Sequence, residues 1–167
     1  MRLVFWNCGV APPKGTRSVP RAKAAVGIIG DLVRSRPAMI ALCEADANLV
    51  HDLVTELDLE SQGYYQRILD DTIRGGSRWD LAILFDQRQV EVLGDRAIFG
   101  SNDGRKLRAG YGLEVLTHSD RLRFELFLAH WPSRQRASES ESRRRCAEAL
   151  WNEIKTRLQD GWRVLPW

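Results

Sequence analysis

Three polar residues each stand directly after a stretch of sequence that is typical of a buried strand: Asn7, Glu44 and His130. Ligands of open α/β sheets usually bind beyond the tips of the strands, so side chains at such tips are candidates for a shared site. Carboxylate and amide oxygens are hard donors that suit Mg²⁺, and a histidine beside Ser133 and Arg134 can act as a general acid or contact a phosphate. The set therefore predicts a site where Mg²⁺ assists phosphate chemistry.

Each of these residues also has a structural explanation when it is taken alone. Asn commonly ends a strand by bonding to the nearby backbone. Glu44 follows an apolar run, where a carboxylate is costly unless it is solvated, paired or bound to a cation. Asp46, two residues on, is typical of a helix N-cap. His51 and His118 fall in a predicted helix and beside a predicted turn, so we expect them to be solvated or structural.

The apolar periodicity predicts which elements position these residues. Helices are predicted over residues 21–34, 46–57 and 138–158, and strands over residues 3–6, 38–43, 64–69, 81–85, 90–99, 113–117 and 124–129, with another beginning at 163–165. Closely spaced consecutive strands favour antiparallel pairing. The prediction is an α/β fold with a mixed, largely antiparallel sheet flanked by helices.

Two features of this pattern have further consequences. The strands at 81–85 and 124–129 are apolar on both faces, yet only three helices are available to cover them. We therefore expect an uncovered sheet face, and with it self-association or a partner chain. Loops are predicted at residues 9–20, 71–78 and 99–110, where they would line the mouth of the site and set its specificity.

Composition limits the classes of protein that remain. A length of 167 residues fits one domain, and neither a signal peptide nor an apolar run of membrane-spanning length is present, so a cytoplasmic protein is expected. The three cysteines are expected to be free, mostly buried thiols. Basic residues cluster at 105–108 and at 134–145, which permits an anionic partner without requiring one. The charge pattern alone favours a solvated helix face balanced by Glu139, Glu141 and Glu148.

At this point the sequence resembles a known family, the endonuclease/exonuclease/phosphatase superfamily. The resemblance rests on four segments in the family's order: Phe5-Trp6-Asn7, residues 37–44 (PAMIALCE), residues 79–85 and residues 128–134 (LAHWPSR). The family usually has Gln where Cys43 stands before Glu44. The later family elements Gly-Asp-x-Asn and Ser-Asp-His do not occur, so the chain resembles only the first part of a four-layer α/β/β/α sandwich, and residues 1–167 are predicted to form a single, incomplete domain.

The resemblance implies roles for particular residues. Glu44 and Asn7 would help to hold a divalent cation, Mg²⁺ or Mn²⁺; His130 would contact the scissile phosphate or protonate the leaving oxygen; Arg134 is a candidate phosphate contact. The implied function is a divalent-metal-dependent phosphodiesterase, a nuclease acting on DNA or RNA, with part of the catalytic set missing from this chain. The alternative is a non-catalytic, degenerate or split relative that binds phosphate or nucleic acid, or needs a partner chain. Inositol phosphates and lipid headgroups also remain open as substrates.

Overall fold

The computed structural model describes residues 1–10, 18–74, 77–129, 131 and 137–166. The elements are, in chain order, β1 (Leu3–Asn7), α1 (Val19–Arg34), β2 (Met39–Cys43), α2 (Ala47–Glu56), β3 (Tyr64–Arg74), β4 (Ser77–Asp86), β5 (Val90–Asn102), β6 (Arg105–Thr117), β7 (Arg123–Leu128), α3 (Ala137–Gln159) and β8 (Val164–Pro166). The predicted α/β class is confirmed. The strands form two sheets of four, and the chain divides into two compact units, Met1–Val90 and Glu91–Trp167. That the chain is a single domain stays a prediction.

The first unit contains a mixed sheet with strand order β1-β2-β4-β3. β1 pairs with β2 in parallel, whereas β2–β4 and β3–β4 are antiparallel. All five residues of β2 are buried, as its continuous apolar sequence predicts for a strand covered on both faces. This central strand carries Cys43 at its end, so Glu44 follows directly from the best-packed part of the unit.

Helices α1 and α2 build the core of the first unit against one face of this sheet. The buried stripe of α1 consists of Ala22, Ala25, Ile29 and Val33, at the spacing of one helical face. It packs in one cluster with Leu49 and Leu53 of α2 and with Ile40, Leu42 and Leu84 of the sheet. The Asp46 side chain accepts a hydrogen bond from the Leu49 amide at 2.8 Å, which confirms the N-cap interpretation of that residue.

The second unit contains strands in the order β5-β6-β7-β8 with α3 packed on them. β6 and β7 are antiparallel, and β7 and β8 are parallel. The two-residue turn between β5 and β6 has positive φ at both positions, 49° at Asp103 and 75° at Gly104, which is the pattern of a type I′ hairpin turn. Helix α3 ends before Gly161, which has a φ of 81° and donates its amide to the Leu158 carbonyl, the usual conformation of a glycine after a helix.

A buried carboxylate ties α3 to the sheet of the second unit. Glu125, 1% exposed in the middle of β7, forms ion pairs with Arg96 of β5 and, at 2.9 Å, with Arg157 of α3. Gly112 makes room for this network, because a Cβ there would stand 2.5 Å from a Glu125 carboxylate oxygen. Arg157 also occupies the inward face of the last helical turn, which explains why Leu158, predicted to face inward, is exposed.

Two of the three predicted loops are wrong. Residues 71–74 and 77–78 belong to β3 and β4, and residues 99–102 and 105–110 belong to β5 and β6. Backbone hydrogen bonds continue along polar hairpin ends where the apolar alternation has already stopped, so the sequence pattern underestimates the strands. Most of the third predicted loop, residues 11–17, lies outside the described residues.

The expected uncovered sheet face is also wrong for the strands on which it was based. Leu81, Ile83, Phe124 and Leu126 are at most 6% exposed within this single chain. The prediction assumed one sheet carried by three helices, whereas the strands form two sheets, one packed on α1 and α2 and the other on α3. The argument for self-association or a covering partner chain therefore no longer rests on these residues.

Candidate active site

Asn7 and Glu44 come together at the carboxyl ends of two adjacent parallel strands. The register of β1 and β2 aligns Asn7 with Cys43, so both strands end at the same edge of the sheet. There the Asn7 amide nitrogen donates a hydrogen bond to a Glu44 carboxylate oxygen at 3.1 Å. The structure thus brings together two of the predicted site residues although 37 positions separate them in the sequence.

Backbone hydrogen bonds extend this pairing beyond the two strands. The Cys8 amide donates to the Cys43 carbonyl and the Val10 amide donates to the Glu44 carbonyl, both at 3.1 Å. Between them the Gly9 amide donates to the Asn7 side-chain oxygen at 3.0 Å. Asn7 is therefore held at both ends of its carboxamide, which fixes the orientation of the group that contacts Glu44.

Glu44 has a backbone conformation that is unfavourable for its residue type. Its φ is +54°, in the left-handed region that costs an L-residue with a Cβ roughly 1–2 kcal/mol. The turn connects a buried strand to Asp46, the N-cap of α2, and glycine would adopt the same φ without strain. A partly exposed carboxylate beside a fixed carboxamide points to a functional role for Glu44. The left-handed φ does not distinguish it by itself, because Arg36, Asp58, Asp103 and Arg121 also have positive φ.

Arg21, at the start of α1, also reaches this edge of the sheet, although no pattern in the sequence predicts this contact. Its guanidinium Nη1 donates to the Gly9 carbonyl at 3.0 Å. A Cβ added to Gly9 would stand 3.0 Å from that Nη1 and 3.7 Å from the second Glu44 carboxylate oxygen. The Gly9 position, with φ of +59°, is therefore suited to glycine both by its backbone conformation and by the close approach of the Arg21 guanidinium.

The donor set at this edge fits a hard divalent cation. Mg²⁺ is usually bound through one or two carboxylates and keeps several waters, so the Glu44 carboxylate suits such an ion. The Asn7 oxygen already accepts from the Gly9 amide and the Asn7 nitrogen faces Glu44, so in this arrangement Asn7 orients the carboxylate. Within the part of the chain that the structure describes, no three His, Cys, Asp or Glu side chains cluster as metal ligands.

The three cysteines have structural roles. Cys8, Cys43 and Cys146 are all free and buried, as predicted. The Cys8 thiol donates to the Cys43 carbonyl at 3.1 Å. Burial, together with the nearby Cys8 and Glu44, raises the pKa of Cys43 to about 12, so its thiol stays protonated at neutral pH and is a poor nucleophile and metal ligand.

The remaining predicted site residues are not located by the structure. His130 and Arg134 both lie outside the described residues. Next to them, the Trp131 indole donates to the Ala109 carbonyl at 2.7 Å and the ring packs against the core of the second unit. His51 and His118 are exposed, on α2 and in a turn.

The two basic clusters have different surroundings. In α3, Arg144 and Arg145 are paired with Glu141 and Glu148 one turn away, which confirms the solvated-face interpretation for these residues. The other cluster begins a strand rather than a loop: the Lys106 ammonium lies 3.6 Å from the centre of the Phe99 ring, in β5.

Comparison with solved structures establishes the fold. The human Nocturnin catalytic domain with bound sulfate superposes with a TM-score of 0.67 at 15% identity, over 95% of this chain and 60% of that chain. An endonuclease/exonuclease/phosphatase family protein from Bacteroides thetaiotaomicron gives 0.67 at 12%, over 92% and 58%. D. rerio TDP2 in complex with a single-strand DNA product gives 0.64 at 17%, over 92% and 54%.

These likenesses confirm the predicted fold resemblance. The chain has the fold of the endonuclease/exonuclease/phosphatase superfamily and spans less than two thirds of the length of these proteins. No protein-family model matches the chain, and no curated protein matches its sequence significantly. None of the described helices is long and apolar enough to cross a membrane.

Proposed function

We propose that the chain forms part of a divalent-metal-dependent phosphodiesterase, a nuclease that hydrolyses phosphodiester bonds in DNA or RNA. The observation that carries the proposal is the Asn7–Glu44 pair, held at the carboxyl ends of adjacent parallel strands with Glu44 in a strained conformation. Strand tips of this kind are the usual ligand sites of α/β folds. The fold likeness to the Nocturnin catalytic domain with bound sulfate and to TDP2 with a single-strand DNA product supports phosphate and nucleic acid as the ligand class.

In this proposal Glu44 would hold Mg²⁺ or Mn²⁺, and the Asn7 oxygen would be a second ligand once the cation takes the place of the Asn7–Glu44 hydrogen bond; the cation would stabilise negative charge on the phosphate. Asn7 orients the carboxylate, because its amide nitrogen donates to Glu44 while its oxygen is fixed by the Gly9 amide. His130 contacts the scissile phosphate or gives a proton to the leaving oxygen, and Arg134 contacts the phosphate. The chain is proposed to be cytoplasmic.

The proposal is tested by two cleavage assays on the same preparation. Hydrolysis of bis(4-nitrophenyl) phosphate and nicking of supercoiled plasmid are measured with and without Mg²⁺, for the wild type and for Glu44→Gln. The matched control is Glu60→Gln, an exposed carboxylate in the same unit. Because part of the catalytic set is missing from this chain, the deciding result is the dependence on Glu44: Mg²⁺-dependent cleavage, in the chain alone or after a family C-terminal segment is added, should be kept in Glu60→Gln and lost in Glu44→Gln.

The outcomes separate the competing functions. Cleavage of the small ester alone would argue against a nuclease and for a smaller phosphoester substrate. Mg²⁺-dependent binding of phosphate or DNA without any cleavage would favour the non-catalytic alternative, or a need for a partner chain. In an active preparation, His130→Ala should lower kcat by about 10²–10⁴-fold without changing the melting temperature, as expected for a lost general acid.

A further inference from the structure

The hairpin formed by β5 and β6 extends beyond the neighbouring strand β7. The pairing of β6 with β7 runs as far as Tyr111 and Leu128, and Leu128 is the last residue of β7. Residues 105–110 of β6 therefore continue past the end of that strand. The extension lies at the end of the sheet where β7 ends, and His130 follows two residues later in the sequence.

One face of this extension packs on α3. The hairpin residues in the shared core cluster are Ile98, Leu107 and Ala109. The Cys146 thiol of α3 also donates to the Arg108 carbonyl at 3.4 Å. Successive residues of a strand point to opposite faces, so the side chains of Phe99, Lys106 and Arg108 project from the face that is turned away from α3.

That face carries basic groups and aromatic rings in alternation. The Lys106 ammonium lies 3.6 Å from the centre of the Phe99 ring. The Arg108 guanidinium carbon lies 5.9 Å from the same ring and 5.6 Å from the ring of Tyr111. Phe99 is 37% exposed although it is large and apolar, Lys106 is exposed, and Arg108 is half-buried. Grooves for single-stranded nucleic acids combine the same two groups, because cations contact the phosphates and rings stack on the bases.

The charge of this face favours an anionic ligand. Among the described residues, the Lys106 ammonium contacts the Phe99 ring and no carboxylate, whereas Arg144 in the other basic cluster is paired with Glu141 and Glu148. The exposed ring adds a preference for a ligand with a flat apolar surface. An unpaired nucleotide has both features, since its base face is open, whereas a duplex keeps its base faces stacked and offers its phosphates.

We propose that this face of the β5–β6 hairpin binds single-stranded nucleic acid, with a base stacked on Phe99 and with Lys106 and Arg108 on the adjoining phosphates. The inference rests on the proposed function, because it names the single-stranded form as the substrate. The Lys106 ammonium lies over the ring, and its flexible four-carbon stem allows it to move onto a phosphate and leave the ring to a base.

The experiment measures binding of a labelled single-stranded oligonucleotide to the full chain by fluorescence anisotropy, in EDTA so that no metal-dependent cleavage occurs. A length of about 12 nucleotides lies within the usual site size of such surfaces. A strand of abasic sites and a duplex, both of the same length, are measured alongside. We expect Phe99→Ala to bind the single strand about 5- to 100-fold more weakly than the wild type does, and the abasic strand equally well. The matched control is Trp151→Ala, an exposed aromatic residue of α3, which should bind as the wild type does.

The dependence of binding on salt tests the role of Lys106. Each phosphate contact with a single strand contributes about 0.7 to the slope of log affinity against log salt concentration. Lys106→Ala should therefore reduce the steepness of the slope by about 0.7, whereas Phe99→Ala should keep the wild-type slope. The matched control is Lys155→Ala, an exposed lysine of α3, which should also keep it.

Several results overturn the inference. These are wild-type affinity in a folded Phe99→Ala, an equal loss of affinity for the abasic strand, and an unchanged salt slope in Lys106→Ala. A wild type that binds no single strand at low salt, or that binds the duplex as well as the single strand, also overturns it. If Phe99→Ala does not fold, Phe99→Leu keeps an apolar side chain without the ring and is judged by the same comparisons.

The same variants keep this inference distinct from the proposed function. Glu44-dependent cleavage, accompanied by oligonucleotide binding that is indifferent to Phe99 and Lys106, supports the function and refutes the hairpin site. Oligonucleotide binding that depends on these two residues, in a preparation without Mg²⁺-dependent cleavage, supports the site and favours the non-catalytic alternative. In an active enzyme, Phe99→Ala should raise KM for the oligonucleotide more than it lowers kcat.

Discussion

The backbone strain at Glu44 predicts that glycine at this position is more stable than alanine, the reverse of the usual order. A φ of +54° costs a residue with a Cβ roughly 1–2 kcal/mol, and glycine avoids this cost. Glu44→Gly also gives the unfolded chain more freedom, worth about 0.4–1 kcal/mol, and removes the hydrogen bond from Asn7, worth about 0.5–1.5 kcal/mol. These contributions nearly cancel, so we expect Glu44→Gly to unfold within about 1 kcal/mol of the wild type.

Glu44→Ala provides the comparison, because it loses the same hydrogen bond and keeps the strain. We expect it to be less stable than Glu44→Gly by about 0.5–1 kcal/mol. Urea denaturation followed by circular dichroism measures both. The control is Ala24→Gly at an exposed position of α1, where glycine should instead be less stable than alanine by about 1 kcal/mol.

An alanine variant at position 44 that is as stable as the glycine variant would refute the strain argument. The expected order has a functional meaning: glycine would serve the fold at this turn, and glutamate supplies a carboxylate. Glu44→Gly should therefore stay folded and lose Mg²⁺-dependent cleavage.

Three further predictions concern the fold. Glu125→Ala should lower the free energy of unfolding by about 1.5–3 kcal/mol, because it removes the buried partner of Arg96 and Arg157, which then keep only Glu153. Glu148→Ala on the exposed face of α3 should change it by less than about 1 kcal/mol, and equal effects in urea denaturation would contradict this. Burial raises the pKa of Asp86, but hydrogen bonds from Arg88 and Gln89 lower it further, so that its pKa lies below the ordinary value. Asp86→Asn should therefore destabilise the protein above about pH 4, and the difference in unfolding free energy between wild type and variant should shrink as the pH falls further. A difference that persists in acid would contradict the lowered pKa of Asp86. Cys43 should resist alkylation by iodoacetamide at neutral pH in the folded protein and react after unfolding, and rapid native labelling would contradict its burial.

The sequence predicted the elements wherever apolar periodicity is strong. The stripe of α2 and the continuous apolar run of β2 appear as predicted, and Asp46 caps its helix. Strand ends at the hairpins were missed, because pairing there depends on backbone hydrogen bonds and on turn residues such as Asp103 and Gly104 rather than on side-chain burial. The apolar pattern alone did not divide the strands into two sheets, since it does not specify which strands are neighbours; the resemblance to a four-layer α/β/β/α sandwich did imply two layers of strands, and the structure has two sheets.

The candidate site was predictable in part for a similar reason. Asn7 and Glu44 were found because each ends an apolar strand, and parallel pairing brings such ends together. Arg21 was missed because it follows no strand, and its contact with Gly9 depends on the three-dimensional path of the chain. Glu125 was missed because a carboxylate inside an apolar strand is recognisable only once Arg96 and Arg157 are seen beside it.

The most direct test of the central claim, that the Glu44 carboxylate holds a divalent cation, is a Mg²⁺ titration followed by NMR of the Asn7 side-chain amide. That amide donates to Glu44, so its signals report on the carboxylate. With few protein ligands we expect a saturable shift with millimolar affinity, about −4 kcal/mol, in the wild type and in Glu60→Gln. The shift should be absent in Glu44→Gln. An unchanged titration in Glu44→Gln, or no Asn7 response in the wild type, would contradict the claim.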